Sequence, residues 1–288
     1  MYRILTILSA MFFSVCVFAQ TVNMLNIDEM KADSIDKKVL GNAEYMIVYD
    51  YVYNSTPELK KRVEYCETFL QIGEEYNRFG DYHQFRYDSL MDVTFKKGNQ
   101  LKEKEVYKRL NLKMRIRFNE SILMQKSKNK YMIQRTAGKK TEYQYEEDCP
   151  ELRWALIDGD TIISGHQCKK ASTSLFGRDY IAWYCPDISL PYGPYKFNGL
   201  PGLILRVTDT QNHHDFVMTE IRKVKGYNPI YYWTRKDIVK TTRNNVRELY
   251  EEFCKNPTDE EGNSIATIFY KDGKPVVKPR PYNPIELE

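Results

Sequence analysis

Beyond residue 18 the chain has no apolar run near the roughly 18 residues that a membrane-spanning helix needs, so no transmembrane segment is expected in the remainder. It also has no G-x-S-x-G elbow, no H-E-x-x-H helix and no Walker-type phosphate loop, which removes the commonest hydrolase, metalloprotease and nucleotide-binding signatures. Charge of one sign is lacking too. The 43 Lys and Arg are interleaved with 39 Asp and Glu, net +4, and form no basic stripe of the kind that binds nucleic acid. There is no repeat of fixed period and no low-complexity linker. No catalytic residues, no cofactor and no nucleic-acid partner are therefore expected.

What the chain does have is 288 residues, 42% of them hydrophobic, enough to bury a large core. Its 23 tyrosines against 14 glycines suit strands more than a helical bundle. The N-terminus reads Met1-Tyr2-Arg3, an apolar run from Ile4 to Phe18 and a small residue at Ala19, the pattern of a secretory signal peptide. Val15 is a poor fit to the small residue that precedes a lipoprotein cysteine, so Cys16 is expected to leave with the leader. The predicted organisation is a signal peptide over 1–19, a polar lead-in over 20–42 and one β-rich domain over 43–288, exported to the periplasm or secreted.

Period-2 and β-branched runs predict strands at Tyr45 to Tyr53, Arg62 to Ile72, Ser121 to Lys126, Lys130 to Thr136 and Thr141 to Tyr145. From 151 to 225 successive apolar runs and turn signals predict an antiparallel meander, with hairpins at Asp158-Gly159, Phe176-Gly177 and Gln211 to His213. Asp81 with Gln84 predicts a helix N-terminus running to about Met91, and the charge-rich residues 96–120 read as an exposed helix or solvated insertion. Thr234 with Asp237 predicts the start of a further helix, stopped by Asn256-Pro257. The fold class is mainly β (α+β): an antiparallel curved sheet or half-barrel with one or more packing helices.

The run from Tyr192 to Leu205 concentrates backbone special cases. Gly193, Gly199 and Gly202 supply permissive positions while Pro194 and Pro201 fix φ, which describes two consecutive tight turns delivering Leu203 and Ile204 into a buried strand. Its Gly199-Leu200-Pro201-Gly202-Leu203-Ile204 resembles the hexapeptide that names the GLPGLI family of secreted Bacteroidetes proteins. The likeness extends over Trp154, Gly165, Cys168-Lys169-Lys170-Ala171, Gly177-Arg178, Ala182-Trp183-Tyr184, Pro186-Asp187-Ile188, Gly193-Pro194 and the closing Asn283-Pro284-Ile285-Glu286. It departs at His166, where an aromatic is commoner, and at Cys185, where a hydroxyl residue is commoner. The resemblance implies an envelope protein, largely antiparallel β, and it implies no catalytic residues.

Five cysteines remain after leader removal, and in an oxidising compartment near neighbours should be bridged. If Asp158-Gly159 is a two-residue loop, opposed positions sum to 317, as those of Cys149 and Cys168 do. The competing pair is Cys168 with Cys185. His213, His214 and Asp215 bring two imidazoles and a carboxylate together, but neighbours on a strand point to opposite faces and chelate one metal poorly. The carboxylates Asp158, Asp160, Glu146, Glu147 and Asp148 are the other candidates for chemistry, although turns and strand ends favour acids anyway. The expected function is a non-enzymatic binding or accessory protein, for an apolar or peptide ligand or an outer-membrane transport or export partner. The alternative is a secreted hydrolase with a carboxylate or His site.

Overall fold

The longest strand sets the frame. In a computed structural model that describes residues 33–56, 63–97, 102–138, 141–258, 268–271, 274–277 and 279–288, β1 spans Lys37–Asn54. It begins inside the stretch read as a polar lead-in. The leader and its cleavage site lie outside the described residues. Among the described residues two compact units can be distinguished, one of residues 33–35 with Gln84–Arg115, the other of Asp36–His83 and Ile116–Glu288.

In the larger unit, β1 is followed by β2 (Val63–Gly73), β3 (Tyr76–Asp81), β4 (Glu120–Gln125), β5 (Lys130–Thr136) and β6 (Glu142–Asp148). The second half adds β7 (Ala155–Ile163), β8 (His166–Leu175), β9 (Arg178–Cys185), β10 (Leu203–Asp209), β11 (His214–Lys223), β12 (Pro229–Trp233) and β13 (Val239–Lys240). All thirteen join one open sheet in the order β13-β6-β5-β4-β3-β2-β1-β11-β10-β9-β8-β7, with β12 paired to the first part of β1. Every pairing is antiparallel except β13 on β6. The meander is present as β7 to β11, and β11 returns to β1, so both halves of the chain share one sheet. A separate hairpin pairs β14 (Ile268–Lys271) with β15 (Lys274–Val277).

Period-2 alternation divides the sheet between two cores. In β4, Ile122 enters the main cluster with Ile47, Tyr49, Phe79, Phe197, Leu203 and Phe216, while its neighbour Leu123 faces the other way onto Ala43 and Ile230. On that second face β12 lies over the sheet. The guanidinium of the buried Arg78 sits 3.8 Å from the centre of the Tyr231 ring, and Gln134 exchanges hydrogen bonds with the Trp233 backbone. Cation–π contact replaces part of the hydration that Arg78 loses on burial.

Helix α1 (Tyr82–Lys96) starts where Asp81 predicts, with Oδ1 accepting from the His83 N–H at 2.8 Å. Helix α2 (Glu103–Arg115) has acids in its first turn and bases in its last, matching its dipole. Its Val106 meets Met91 and Tyr87 in the core of the smaller unit. Helix α3 spans Arg243–Lys255 and starts later than Thr234 predicts: the hydroxyl of Thr242 accepts from the Asn245 N–H, and β13 occupies the residues before it. The Thr234 pattern fails because Ile238 and Val239 are β-branched and favour strand. Among the described residues no helix is long and apolar enough to cross a membrane.

The Asp158-Gly159 hairpin is also corrected. The β7–β8 turn is Ser164-Gly165, both at positive φ, with Ile163 opposite His166; Asp158 and Gly159 form a bulge within β7. Two dipeptides competed for one turn, and the pairing of β7 with β8 selects the one six residues on. With that register Cys168 faces Thr161, not Cys149, and Cys149 instead donates its N–H to the Asn129 carbonyl. The expected Cys149–Cys168 bridge is absent, and the cysteines 66, 149, 168, 185 and 254 are all free and buried.

Candidate functional site

The site is assembled around the central turn. Tyr192 and Asn198 form a β-bridge, closed by hydrogen bonds from the Gly199 N–H to the Pro191 carbonyl and from the Ile204 N–H to the Tyr192 carbonyl. Gly202 is packed against the end of β9 so tightly that a Cβ there would lie 2.1 Å from the Cys185 oxygen. Gly199 takes φ +90°, where other residues are strained. Leu200, Leu203 and Ile204 are buried in the main core. The turn is thereby fixed, and it places Tyr195 and Lys196 inward.

Lys196 is fully buried and meets two carboxylates, Glu147 at the end of β6 and Glu286 in the C-terminal segment. Arg243, in the first turn of α3, reaches both as well, 2.9 Å from Glu286 and 3.4 Å from Glu147, and the Tyr195 hydroxyl donates to Glu286 at 2.6 Å. Two cations thus balance two anions, the condition under which burying four charges is tolerable. Burial raises the Glu147 carboxyl above its usual range despite Lys196. For Glu286 burial acts in the same direction, but Lys196 and Arg243 outweigh it and hold the carboxyl low.

The same C-terminal segment is clamped from the other side. Arg178 Nη2 donates to the Asn283 side chain at 2.6 Å and to the Pro284 carbonyl at 2.7 Å, and Tyr180 donates to the Ile285 carbonyl at 2.9 Å. Arg178 also pairs with Asp209, whose carboxylate caps the β10–β11 turn by accepting from the N–H groups of His213 and His214. Trp154 donates to the Asn198 carbonyl. Trp154, Arg178, the central turn and the Asn283 to Glu286 stretch, separate parts of the sequence resemblance, are therefore joined in one structural network.

Beside this network lies an inner cavity of about 150 Å³, lined by Glu120, Arg135, Arg247, His214 and Glu286 together with tyrosines 51, 195, 250 and 282. Glu120 and Arg135 are direct neighbours across the β4–β5 ladder, 2.9 Å apart. Burial opposes the charge on Arg135, but Glu120 more than offsets this and holds the guanidinium above its ordinary value. Helix α3 contributes Arg243, Arg247 and Tyr250, spaced to fall on one face. An outer groove of about 610 Å³ shares Tyr53, Asn119 and Tyr250 with the cavity, so the two adjoin.

His214 is part of the cavity wall and not of a metal centre. Its Nδ1 is 2.7 Å from the Tyr51 hydroxyl, and burial, with Arg178 and His213 nearby, pushes its pKa down to about 3. Asp215 faces the opposite way onto Arg206, in a two-point ion pair at 2.9 and 3.0 Å, so the three candidate ligands do not converge. Among the described residues no His, Cys, Asp and Glu cluster suits a metal. Of the acids read from the sequence, Asp158 and Asp160 are exposed on β7, while Glu147 is one of the buried pair around Lys196.

Sequence reading did not single out Glu120, Arg135, Lys196 or Arg247. The signal was present in the strand phase. Tyr131, Ile133 and Arg135 share one face of β5, and Tyr145 and Glu147 share the matching face of β6, so charged residues occupy positions where the alternation predicts core.

Residues 71–206 match the model of a family described as a protein of unknown function, Porph_ging, a span that takes in the central turn. No curated protein matches the chain. Among solved structures, PNGF-II in its P21 crystal form is similar over 72% of this chain and 33% of its own, at 12% identity and a TM-score of 0.47. The C2 form gives the same identity, score and share of this chain, with 32% of its own. The aligned region is thus about a third of that protein's length.

Proposed function

We propose that this is an exported, non-enzymatic binding or accessory protein that holds a peptide, and that its hexapeptide likeness and the match over residues 71–206 reflect one family of envelope proteins. The observation that carries the binding assignment is that the outer groove adjoins the inner cavity along Tyr53, Asn119 and Tyr250. An extended chain suits the groove, and the cavity has room for one small polar group. A lipid or other apolar ligand fits poorly, because the inner walls carry Arg135, Arg247 and Glu120. Catalysis is disfavoured because general acid–base chemistry works best with a pKa near the operating pH. His214 lies near 3 and Glu286 is held low by two cations. Export rests on the Arg3, Ile4 to Phe18 and Ala19 pattern.

Native mass spectrometry of the protein purified from its own envelope tests this reading. Adducts with peptide masses are expected. A retained phospholipid would overturn it.

A hydrolase is the second reading, favoured by one observation: the carboxylates of Glu120 and Glu286 both line the inner cavity. It requires that purified protein turn over envelope peptides or glycans and that Glu120→Gln abolish the turnover.

A further inference from the structure

Residues that line the inner cavity carry buried hydrogen-bonding atoms that the fold leaves unused. Arg135 Nε and Arg247 Nε are buried donors without a partner, and Glu120 Oε2 is a buried acceptor without one. One further atom of each group is engaged: Arg135 Nη1 with Glu120 Oε1 at 2.9 Å, and Arg247 Nη2 with the Leu287 carbonyl at 2.8 Å. An unsatisfied buried polar atom costs on the order of 1 to 3 kcal/mol, so four among the residues lining one small cavity, His214 Nε2 being the fourth, call for a ligand that meets several of them together. Its chemistry must be mixed, with acceptors for two guanidinium N–H groups and a donor for one carboxylate oxygen. Charge points the same way. The cavity walls hold Arg117, Arg135 and Arg247 against Glu120 and Glu286, and Glu286 is already neutralised by Lys196 and Arg243. An anionic group is therefore favoured, provided it carries a donor beside it.

We propose that the inner cavity is a subsite for the C-terminal residue of a bound peptide. The terminal carboxylate accepts from Arg135 and Arg247, and the amide N–H of the same residue donates to Glu120 Oε2. This rests on the peptide-binding reading above and deepens it. A terminal carboxylate and the amide N–H of the same residue are both attached to one Cα, which matches a cavity too small for more than one residue's polar end. Arginine suits the task, since its N–H groups lie in one rigid plane that matches a carboxylate. The outer groove then receives the preceding residues, with Tyr53 and Tyr250 at the junction.

The test incubates the full chain with two random N-acetyl hexapeptide libraries, identical except that one ends in a free carboxylate and the other in a carboxamide, and reads retention by native mass spectrometry. Free-acid peptides should be retained at least tenfold better than amidated ones. Arg247→Gln should remove that preference while leaving the melting temperature near wild type, since Arg247 is only half-buried and forms no ion pair with the core quartet. Equal retention of both libraries would overturn the subsite and leave peptide binding standing. Retention of neither would overturn the peptide reading itself. A preference for free acid that survives both Arg247→Gln and Arg135→Lys would place the carboxylate elsewhere and refute the assignment.

Discussion

Lys196 Nζ lies 2.5 Å from the Glu286 carboxylate, joining residues 90 positions apart with no water-accessible surface on the lysine side chain. The pair links the turn before the Gly199 to Ile204 hexapeptide with the C-terminal Asn283 to Glu286 stretch. Two distant segments of the sequence resemblance are thus the two ends of one buried ion network.

Removing the lysine charge tests that network. Lys196→Met should cost about 3 to 5 kcal/mol, because it leaves Glu147 and Glu286 buried with Arg243 as their one remaining cation. Urea unfolding should show the loss as a lower midpoint with an unchanged slope. A variant as stable as wild type would mean that the network is dispensable.

Acid sensitivity should have a histidine component. The folded pKa of His214 is about 3 against an ordinary value of 6.5, so between these values the unfolded chain binds a proton that the folded protein refuses. Its contribution is complete above pH 6.5 and lost as pH falls toward 3, amounting to roughly 5 kcal/mol over the window. His214→Asn should flatten the slope of stability against pH between 6.5 and 4. An unchanged slope would show that His214 is protonated without difficulty in the folded state.

The cysteines make a separate prediction. Lys169 faces Tyr184 and Leu175 faces Arg178 in the β8–β9 ladder, and the same register places Cys168 opposite Cys185. Burial raises Cys149 and Cys168 to about 11, so the native thiols should resist alkylation at pH 7. If refolding under oxidising glutathione forms a bridge involving Cys168, its partner should be Cys185. Non-reduced peptide mapping that found Cys149 joined to Cys168 would contradict the strand register.

Much of the sheet was legible, and the reasons differ by element. Runs such as Tyr45 to Tyr53 are strands because β-branched and aromatic residues alternate there, a local property. The strand Tyr76–Asp81 went unread because Asn77, Arg78, Gly80 and Asp81 hide its period; Arg78 is buried through the Tyr231 and Trp233 rings on β12, the Phe69 ring on β2 and the Ser121 hydroxyl on β4, which no local pattern shows. The turn at Ser164-Gly165 was lost to Asp158-Gly159, since both dipeptides suit positive φ and pairing with β8 decides between them. The central turn was recognisable from its glycines and prolines. The cavity was not, because Glu120, Arg135 and Arg247 come from three elements that only the folded sheet and α3 bring together.

The central claim is that the Gly199 to Ile204 hexapeptide is a structural clamp that positions the site and does not itself recognise a ligand. Thermal unfolding of Gly202→Ala tests this most directly, because a Cβ at that position meets the Cys185 carbonyl oxygen at 2.1 Å and the backbone on both sides must move. A loss on the order of 3 kcal/mol is expected, enough to lower the melting temperature by several degrees. Gly199→Ala, where a Cβ meets only Trp154 Nε1 at 3.8 Å but φ is +90°, should cost less, about 1 to 2 kcal/mol. If Gly202→Ala melts like wild type and loses ligand or partner binding instead, the hexapeptide is a recognition surface and the structural account is wrong.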